Sequence, residues 1–168
     1  MTRLRPVQPA DHSAIAALTT QAFNQAFPNG PGSEARITED VRAEGAAWIE
    51  LVAEIDGEIV GHILFSRMTC DPPRKVAGLG PVSVRPDKQR NGLGAALCAE
   101  GLARCRADGA VAAVVLGHPG YYPRFGFTAA AATPLSSPYA GSPAFMAMAL
   151  QPGGLEGLRI VSYAAAFG

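Results

Sequence analysis

The segment from Leu79 to Ala95 constrains the fold most strongly, because its pattern of apolar residues changes period partway along. Val82 and Val84 alternate as they would in a β-strand, and Pro86 ends that pattern. From Leu93 onward, behind two glycines, apolar residues recur at the spacing of a helix. The segment therefore predicts a strand, a glycine turn and a helix, in that order.

The turn between these two elements reads Gln-Arg-Asn-Gly-Leu-Gly over residues 89–94. Glycines at a helix N-terminus allow backbone N–H groups to approach an anion closely. Arg85, Lys88 and Arg90 add positive charge beside the turn, although each alone is also consistent with an ordinary solvated side chain. The chain has no P-loop and no dinucleotide fingerprint. We expect a different phosphate-bearing ligand at this turn.

Length and composition favour one domain over residues 1–168, with 48% hydrophobic residues available for its core. Fourteen basic and fourteen acidic residues leave no net charge, so we expect neither nucleic acid nor a membrane as the main partner. The N-terminus has no apolar signal region, and no apolar run approaches the roughly 20 residues that span a bilayer. We therefore expect a cytoplasmic protein.

The three cysteines, Cys70, Cys98 and Cys105, are odd in number. Cys98 and Cys105 are about 10 Å apart along the predicted helix 93–108, too far to form a disulfide. No histidine has the spacing to activate either one, which disfavours a cysteine nucleophile. No paired carboxylates or Cys/His cluster indicates a metal site, so we expect no metal.

In the N-terminal half, the pattern predicts an edge strand over 3–6 and two helices. Asp11 and Ser33 are expected to cap those helices, and Gly45 to end the second. Two strand-like segments then flank Asp56-Gly57, the strongest short-range hairpin signal in the chain.

In the C-terminal half, residues 70–77 are predicted as a loop that leads into strand 79–85. The wholly apolar run 110–116 predicts a strand buried on both faces and parallel to strand 79–85. Residues 127–130 and 144–150 are predicted as closing strands, and the tail after Pro152 has little periodicity.

Two motifs together resemble those of the GCN5-related N-acetyltransferases (GNAT). The strand and turn match V-x-V-x-P followed by [QR]-x-x-G-x-[GA], through Val82, Val84, Pro86, Gln89, Gly92 and Gly94. The segment Tyr121–Phe127 resembles the family's Tyr-x-x-Phe-Gly-Phe. The strand 61–66 and the ending at 163–167 are most similar to the YhbS-type bacterial branch of small stand-alone acetyltransferases.

The resemblance covers nearly the whole chain and implies a mixed α/β (α+β) fold. Its central sheet would have six to seven mainly antiparallel strands, with a parallel βαβ pair at the cofactor site and helices on both faces.

The resemblance also implies acetyl-CoA as the acetyl donor. The pantetheine arm would pair with strand 82–84, one strand N–H would polarise the thioester carbonyl, and the pyrophosphate would lie on the glycine turn. The implied cofactor-binding residues are Val82, Ser83, Val84, Gln89, Arg90, Asn91, Gly92, Leu93, Gly94, Ala95 and Tyr122.

By the same resemblance, Tyr122 lies next to the cofactor sulfur as the general acid. Thiols have a pKa of about 8.5 and tyrosine one of about 10, so a tyrosine stays protonated and can hydrogen-bond a departing thiolate. Tyr121 is the alternative acid, and both tyrosines could instead simply cap the core.

The general base is left open among Glu34, His118, His62 and an ordered water. Glu34 lies on the second predicted helix, which is expected to form part of the wall of the substrate site, and His118 follows strand 110–116. An aspartate is common at position 118 in the similar branch, so His118 is a departure. His62 lies in a strand, where a histidine is more often packed than catalytic.

The resulting hypothesis is an N-acetyltransferase that acts on a small-molecule or peptide amine by direct attack, as a monomer or homodimer. The alternative is an inactive CoA-binding sensor or interaction module.

Overall fold

The computed structural model describes all 168 residues and has a six-stranded sheet with the strand order β1-β2-β3-β5-β6-β7. Strands β5 and β6 are parallel, and the other neighbours in the sheet are antiparallel. A second, two-stranded sheet pairs β4 with β8. The strands are β1 (Thr2–Pro6), β2 (Ala47–Ile55), β3 (Glu58–Arg67), β4 (Thr69–Asp71), β5 (Val76–Val84), β6 (Ala112–Leu116), β7 (Phe145–Ala149) and β8 (Ile160–Ser162). The helices are α1 (His12–Ala26), α2 (Glu34–Ala43), α3 (Leu93–Ala107) and α4 (Ala129–Ala132).

Helices cover both faces of the large sheet. On one face, α3 packs so closely that a methyl group on Gly101 would overlap the ring of Phe65 in β3. On the other face, Arg42 of α2 reaches Glu50 in β2, whose carboxylate also contacts His62. The mixed fold with helices on both faces is thereby confirmed, as is the parallel pairing of β5 with β6. No helix is long and apolar enough to cross a membrane.

The predicted hairpin between β2 and β3 is also confirmed. Asp56 and Gly57 have φ angles of 50° and 81°, the left-handed conformation that a two-residue type I′ turn requires. This hairpin places β3 beside β5, which carries the first motif.

A gap opens where β5 and β6 diverge. They pair only from Val76 to Leu79 on the β5 side, and β6 ends at Leu116 while β5 continues to Val84. In the same place, Gly80 and Pro81 lie opposite the single residue Leu64 of β3, so β5 bulges. The last part of β5 therefore has a neighbouring strand on one edge only.

Two predicted helix caps are wrong. The carboxylate of Asp11 accepts hydrogen bonds from Arg5 and from the backbone N–H of Gln8, and it caps nothing in α1. Ser33 likewise makes no capping bond from its side chain. An ion pair with Arg5 of β1, six residues earlier in the chain, takes the Asp11 carboxylate instead.

The predicted strand 127–130 is wrong as well. Only Thr128 pairs with β7, through a single bridge to Ala147. Residues 129–132 are four alanines that form α4, and the Thr128 hydroxyl caps it by accepting the N–H of Ala131. Alanine has the highest helix propensity, and a threonine before it is a good cap.

The predicted loop 70–77 is wrong in part, since it contains the end of β4 and the start of β5. The tail contains β8, which pairs with β4. Three-residue strands are too short to give a readable alternation.

Candidate active site

The glycine turn forms a cradle at the N-terminus of α3. Gly92, immediately before the helix, has a φ of 81° and a ψ of 5°, a left-handed conformation that favours glycine. The first helical hydrogen bond runs from the N–H of Ala96 to the carbonyl of Gly92. The N–H groups of residues 91–95 have no acceptor within the protein. Five free donors at the positive end of a helix make this turn suitable for an anion.

A depression of about 320 Å³ lies over these donors. Of the three predicted cationic side chains, Lys88 and Arg90 line it. Arg85 does not, because its guanidinium pairs with Glu58 at 3.0 Å and with Asp87 at 2.6 Å. The expectation that Arg85 faces the anion site is therefore corrected.

Two polar side chains of the turn hold its shape. The amide of Gln89 donates to the carbonyl of Val84 at 3.0 Å, and the amide of Asn91 donates to the carbonyl of Lys88 at 3.3 Å. These bonds tie the turn to the end of β5. Gln89 and Asn91 thus position the free N–H groups, and Asn91 also supplies one of them.

Arg124 is a further cation that lines the same depression. Its guanidinium lies 4.1 Å from the centre of the Tyr121 ring, and its Nε donates to the Tyr121 carbonyl at 2.8 Å. Sequence reasoning missed Arg124, although it lies inside the second motif. Three cations and five N–H donors thus converge on one depression.

The free edge of β5 leads away from this depression. The N–H of Arg85 bonds to β3, so by strand alternation the backbone groups of Val82 and Val84 point to the opposite, open edge. An extended ligand can pair with them there. Ser83 lies between the two valines, but its backbone faces β3 and its side chain is only 2% exposed. The structure therefore does not bring Ser83 to the open edge.

The open edge ends at a cleft with two adjoining cavities. The first, of about 210 Å³, includes Glu34 in its wall. The second, of about 460 Å³, includes His118 and Tyr122. The residues common to both walls are Phe23, Leu79, Gly80, Pro81 and Leu116. All three predicted catalytic residues thus border one continuous cleft.

Tyr122 is held in this cleft by aromatic neighbours. Its ring centre lies 6.3 Å from that of Phe125 and 6.1 Å from that of Phe127. A methyl group on Gly117 would overlap the Tyr122 ring, so glycine is required there. Burial raises the pKa of Tyr122 well above its usual range, so the hydroxyl keeps its proton at neutral pH. Tyr121, by contrast, lines the anion depression.

The candidate bases differ in their access to the cleft. His118 is exposed and its ring makes no hydrogen bond, while Glu34 is half-buried at the start of α2 and forms no ion pair. His62 is fully buried, with its Nε2 2.6 Å from Glu50. Because His62 has no access to the cleft, the remaining candidates for a base are Glu34, His118 and a water.

Glu50, on the face of the large sheet that α2 covers, is kept ionised because its neighbours lower its pKa. Burial alone would raise its pKa, but hydrogen bonds from His62 and Arg42 outweigh burial and lower the pKa to about 2, from an ordinary 4.5. A carboxyl group whose pKa is lower in the folded protein than in the unfolded chain stabilises the fold. This stabilisation is complete at pH values above the unfolded-state pKa, and it is lost as the pH falls through the folded-state pKa.

We therefore expect the free energy of unfolding to fall between about pH 4.5 and pH 2, with Glu50 contributing on the order of 2 to 3 kcal/mol. Glu50→Gln should remove that contribution at pH 7 and flatten the pH profile in denaturant titrations. Glu39→Gln, an exposed change on α2, is the control and should leave the profile unchanged. A Glu50→Gln profile with the parent's slope would contradict this assignment.

The cysteines are all free, and Cys98 and Cys105 are buried. Burial raises the pKa of each of these two thiols to about 12, so neither is a thiolate at neutral pH. This agrees with the prediction that disfavours Cys98 and Cys105 as a nucleophile. The structure contains no group of three or more histidine, cysteine, aspartate or glutamate side chains that could hold a metal ion.

A family model for the acetyltransferase (GNAT) domain matches residues 3–130. The chain belongs to the GNAT acetyltransferase family, as its motifs and fold predict. Among curated proteins it is similar to the uncharacterized N-acetyltransferase YjhQ of Escherichia coli, with 38% identity over 70% of this chain and 65% of YjhQ. It is also similar to YhbS of the same organism, with 33% identity over 73% of this chain and 71% of YhbS. The aligned region thus spans less than two thirds of YjhQ.

Two solved structures are also similar. One is a GNAT family acetyltransferase from Brucella melitensis in complex with acetyl-CoA, with a TM-score of 0.81 and 36% identity, covering 100% of this chain and 99% of that one. The other is E. coli YhbS in complex with CoA, with a TM-score of 0.88 and 30% identity, covering 99% and 91%. Both match the whole fold, including the C-terminal tail beyond the family model.

Proposed function

We propose that the protein is an acetyl-CoA-dependent N-acetyltransferase that moves the acetyl group to a primary amine by direct attack. One observation carries the proposal: the open edge of β5 lies between the five free N–H groups of the glycine turn and the cleft that contains Tyr122. Acetyl-CoA has an anionic pyrophosphate, an extended pantetheine arm and a reactive thioester, and these three parts fit that path in order.

Acetyl-CoA would lie along this path with its pyrophosphate on the N–H groups of residues 91–95. Lys88, Arg90 and Arg124 supply positive charge around it. The pantetheine arm pairs with the backbone of Val82 and Val84, and the thioester reaches the cleft. The Brucella relative, solved in complex with acetyl-CoA, and YhbS, solved in complex with CoA, support acetyl-CoA as the ligand.

In the reaction, the amine nitrogen attacks the thioester carbonyl, and its carbon–nitrogen bond forms before the carbon–sulfur bond breaks. The oxyanion of the tetrahedral intermediate is stabilised by the N–H of Val82, which lines the second cavity and points to the open edge. The departing thiolate takes a proton through the Tyr122 hydroxyl. The proton lost by the amine goes to Glu34, His118 or a water.

The test has two measurements. Calorimetric titration should show acetyl-CoA binding, and a free-thiol assay should show CoA release that depends on an added amine from a panel of arylalkylamines, polyamines, aminoglycosides and peptide N-termini. Binding with no release for any amine would favour an inactive CoA sensor. An absence of binding would overturn the proposal altogether.

A further inference from the structure

The first cavity of the cleft has a wall whose chemistry restricts the acceptor. Aromatic and aliphatic side chains from separated parts of the chain make up most of it, namely Phe23, Ile37, Leu116, Tyr139, Tyr163 and Phe167. They come from α1, α2, β6 and the C-terminal third. Such a wall favours a hydrocarbon group and excludes ions that it cannot pair.

The charge in this wall is a single carboxylate. Glu34 is the one acidic residue bordering either cavity, and no lysine or arginine lines either of them. One ammonium group therefore finds a counter-charge at Glu34, whereas a second ammonium or a carboxylate held in the first cavity would be desolvated without a partner there. The cleft should therefore distinguish between amine acceptors by the number and the sign of their charges.

Tyr163 is a further aromatic residue in the wall of the first cavity. Its hydroxyl is buried and has no hydrogen-bond partner, and burial raises its pKa so that it remains a donor. Its ring centre lies 5.9 Å from that of Tyr139 and 5.4 Å from that of Phe167, all in the cavity wall. Aromatic faces of this kind also attract an organic ammonium.

The size of the cavity sets a limit as well. A cavity of roughly 150 Å³ holds benzene, so about 210 Å³ accommodates one aromatic ring or a branched chain with a short linker. The second cavity adjoins it and contains Tyr122, where the thioester is proposed to lie.

We propose that the acceptor is a singly charged apolar primary amine, with an aromatic or branched hydrocarbon group in the first cavity and no carboxylate. This inference rests on the proposed acetyltransferase function and narrows its substrate class. Phenethylamine represents the class, and spermidine and phenylalanine represent the two excluded charge patterns.

The experiment compares kcat/KM in the free-thiol assay for phenethylamine, spermidine, phenylalanine and phenylalaninamide. We expect phenethylamine to exceed spermidine and phenylalanine by roughly 100-fold. Phenylalaninamide, which lacks only the carboxylate charge of phenylalanine, should recover most of that difference. Equal use of spermidine or phenylalanine would overturn the inference while leaving the acetyltransferase proposal intact.

A binding measurement separates the two proposals if no amine is turned over. Phenethylamine is titrated by calorimetry into protein saturated with CoA, and binding that spermidine does not share supports the inference. An absence of phenethylamine binding overturns it. Phe167→Ala should weaken phenethylamine binding while leaving CoA affinity unchanged, and Ile160→Ala, an exposed apolar change on β8, is the matched control. Equal phenethylamine binding by the Phe167→Ala variant and the parent would also overturn it.

Discussion

Replacing Tyr122 with phenylalanine is expected to lower kcat by roughly 10²- to 10⁴-fold, with little change in acetyl-CoA affinity. The substitution keeps the ring and its contacts with Phe125 and Phe127, so the fold and the cleft survive. It removes only the protonated hydroxyl that is proposed to serve the departing thiolate. The measurement is kcat with a good amine acceptor, under conditions where added viscogen does not change the rate, so that chemistry limits it.

Tyr121→Phe provides the comparison for this result. Tyr121 lines the anion depression rather than the cleft, so loss of its hydroxyl is expected to leave kcat within about 3-fold and to act, if at all, on acetyl-CoA affinity. A Tyr122→Phe enzyme with the parent's kcat would remove Tyr122 from the mechanism. A large fall in kcat for Tyr121→Phe alone would exchange the two roles.

Local signals in the sequence predicted the parts of the fold that depend on near neighbours. Three local signals each predicted the position of an element to within a few residues: the change of period at Leu93, the apolar run before Leu116 and the Asp56-Gly57 turn. The errors lie where distant contacts decide. The short strands β4 and β8, for example, pair Asp71 with Ile160 across 88 intervening residues.

The same division holds for the candidate site. The glycine turn is contiguous, so its free N–H groups could be predicted from Gln89 to Ala95 alone. The wall of the first cavity could not be predicted, because Phe23, Tyr163 and Phe167 meet only after both ends of the chain fold against β5. Arg124 lay within a recognised motif, yet its position over the turn depends on stacking against Tyr121.

The second large effect is expected from Gly92→Val, which should weaken acetyl-CoA binding by about 100-fold or more. The protein leaves open space around Gly92, with no atom within 4 Å of a methyl group there, so crowding is not the reason. The reason is its φ of 81°, which a β-branched residue adopts only with strain. If the turn changes conformation to relax this strain, the N–H groups of residues 91–95 no longer point at one anion position. Losing two charge-assisted hydrogen bonds, at about 1.5 kcal/mol or more each, gives a factor of that size.

The Gly45→Val variant is the control that separates the effect of backbone strain on stability from the effect of the turn on acetyl-CoA binding. Gly45 also has a left-handed φ, 74°, with no atom within 4 Å, but it follows α2, outside the anion depression. Both variants should lose a similar amount of stability in denaturant titrations, because the strain is the same. Only Gly92→Val should lose acetyl-CoA affinity in calorimetry, since only that turn supplies donors to the pyrophosphate. If Gly92→Val remains folded and binds acetyl-CoA as tightly as the parent, the pyrophosphate does not lie on this turn.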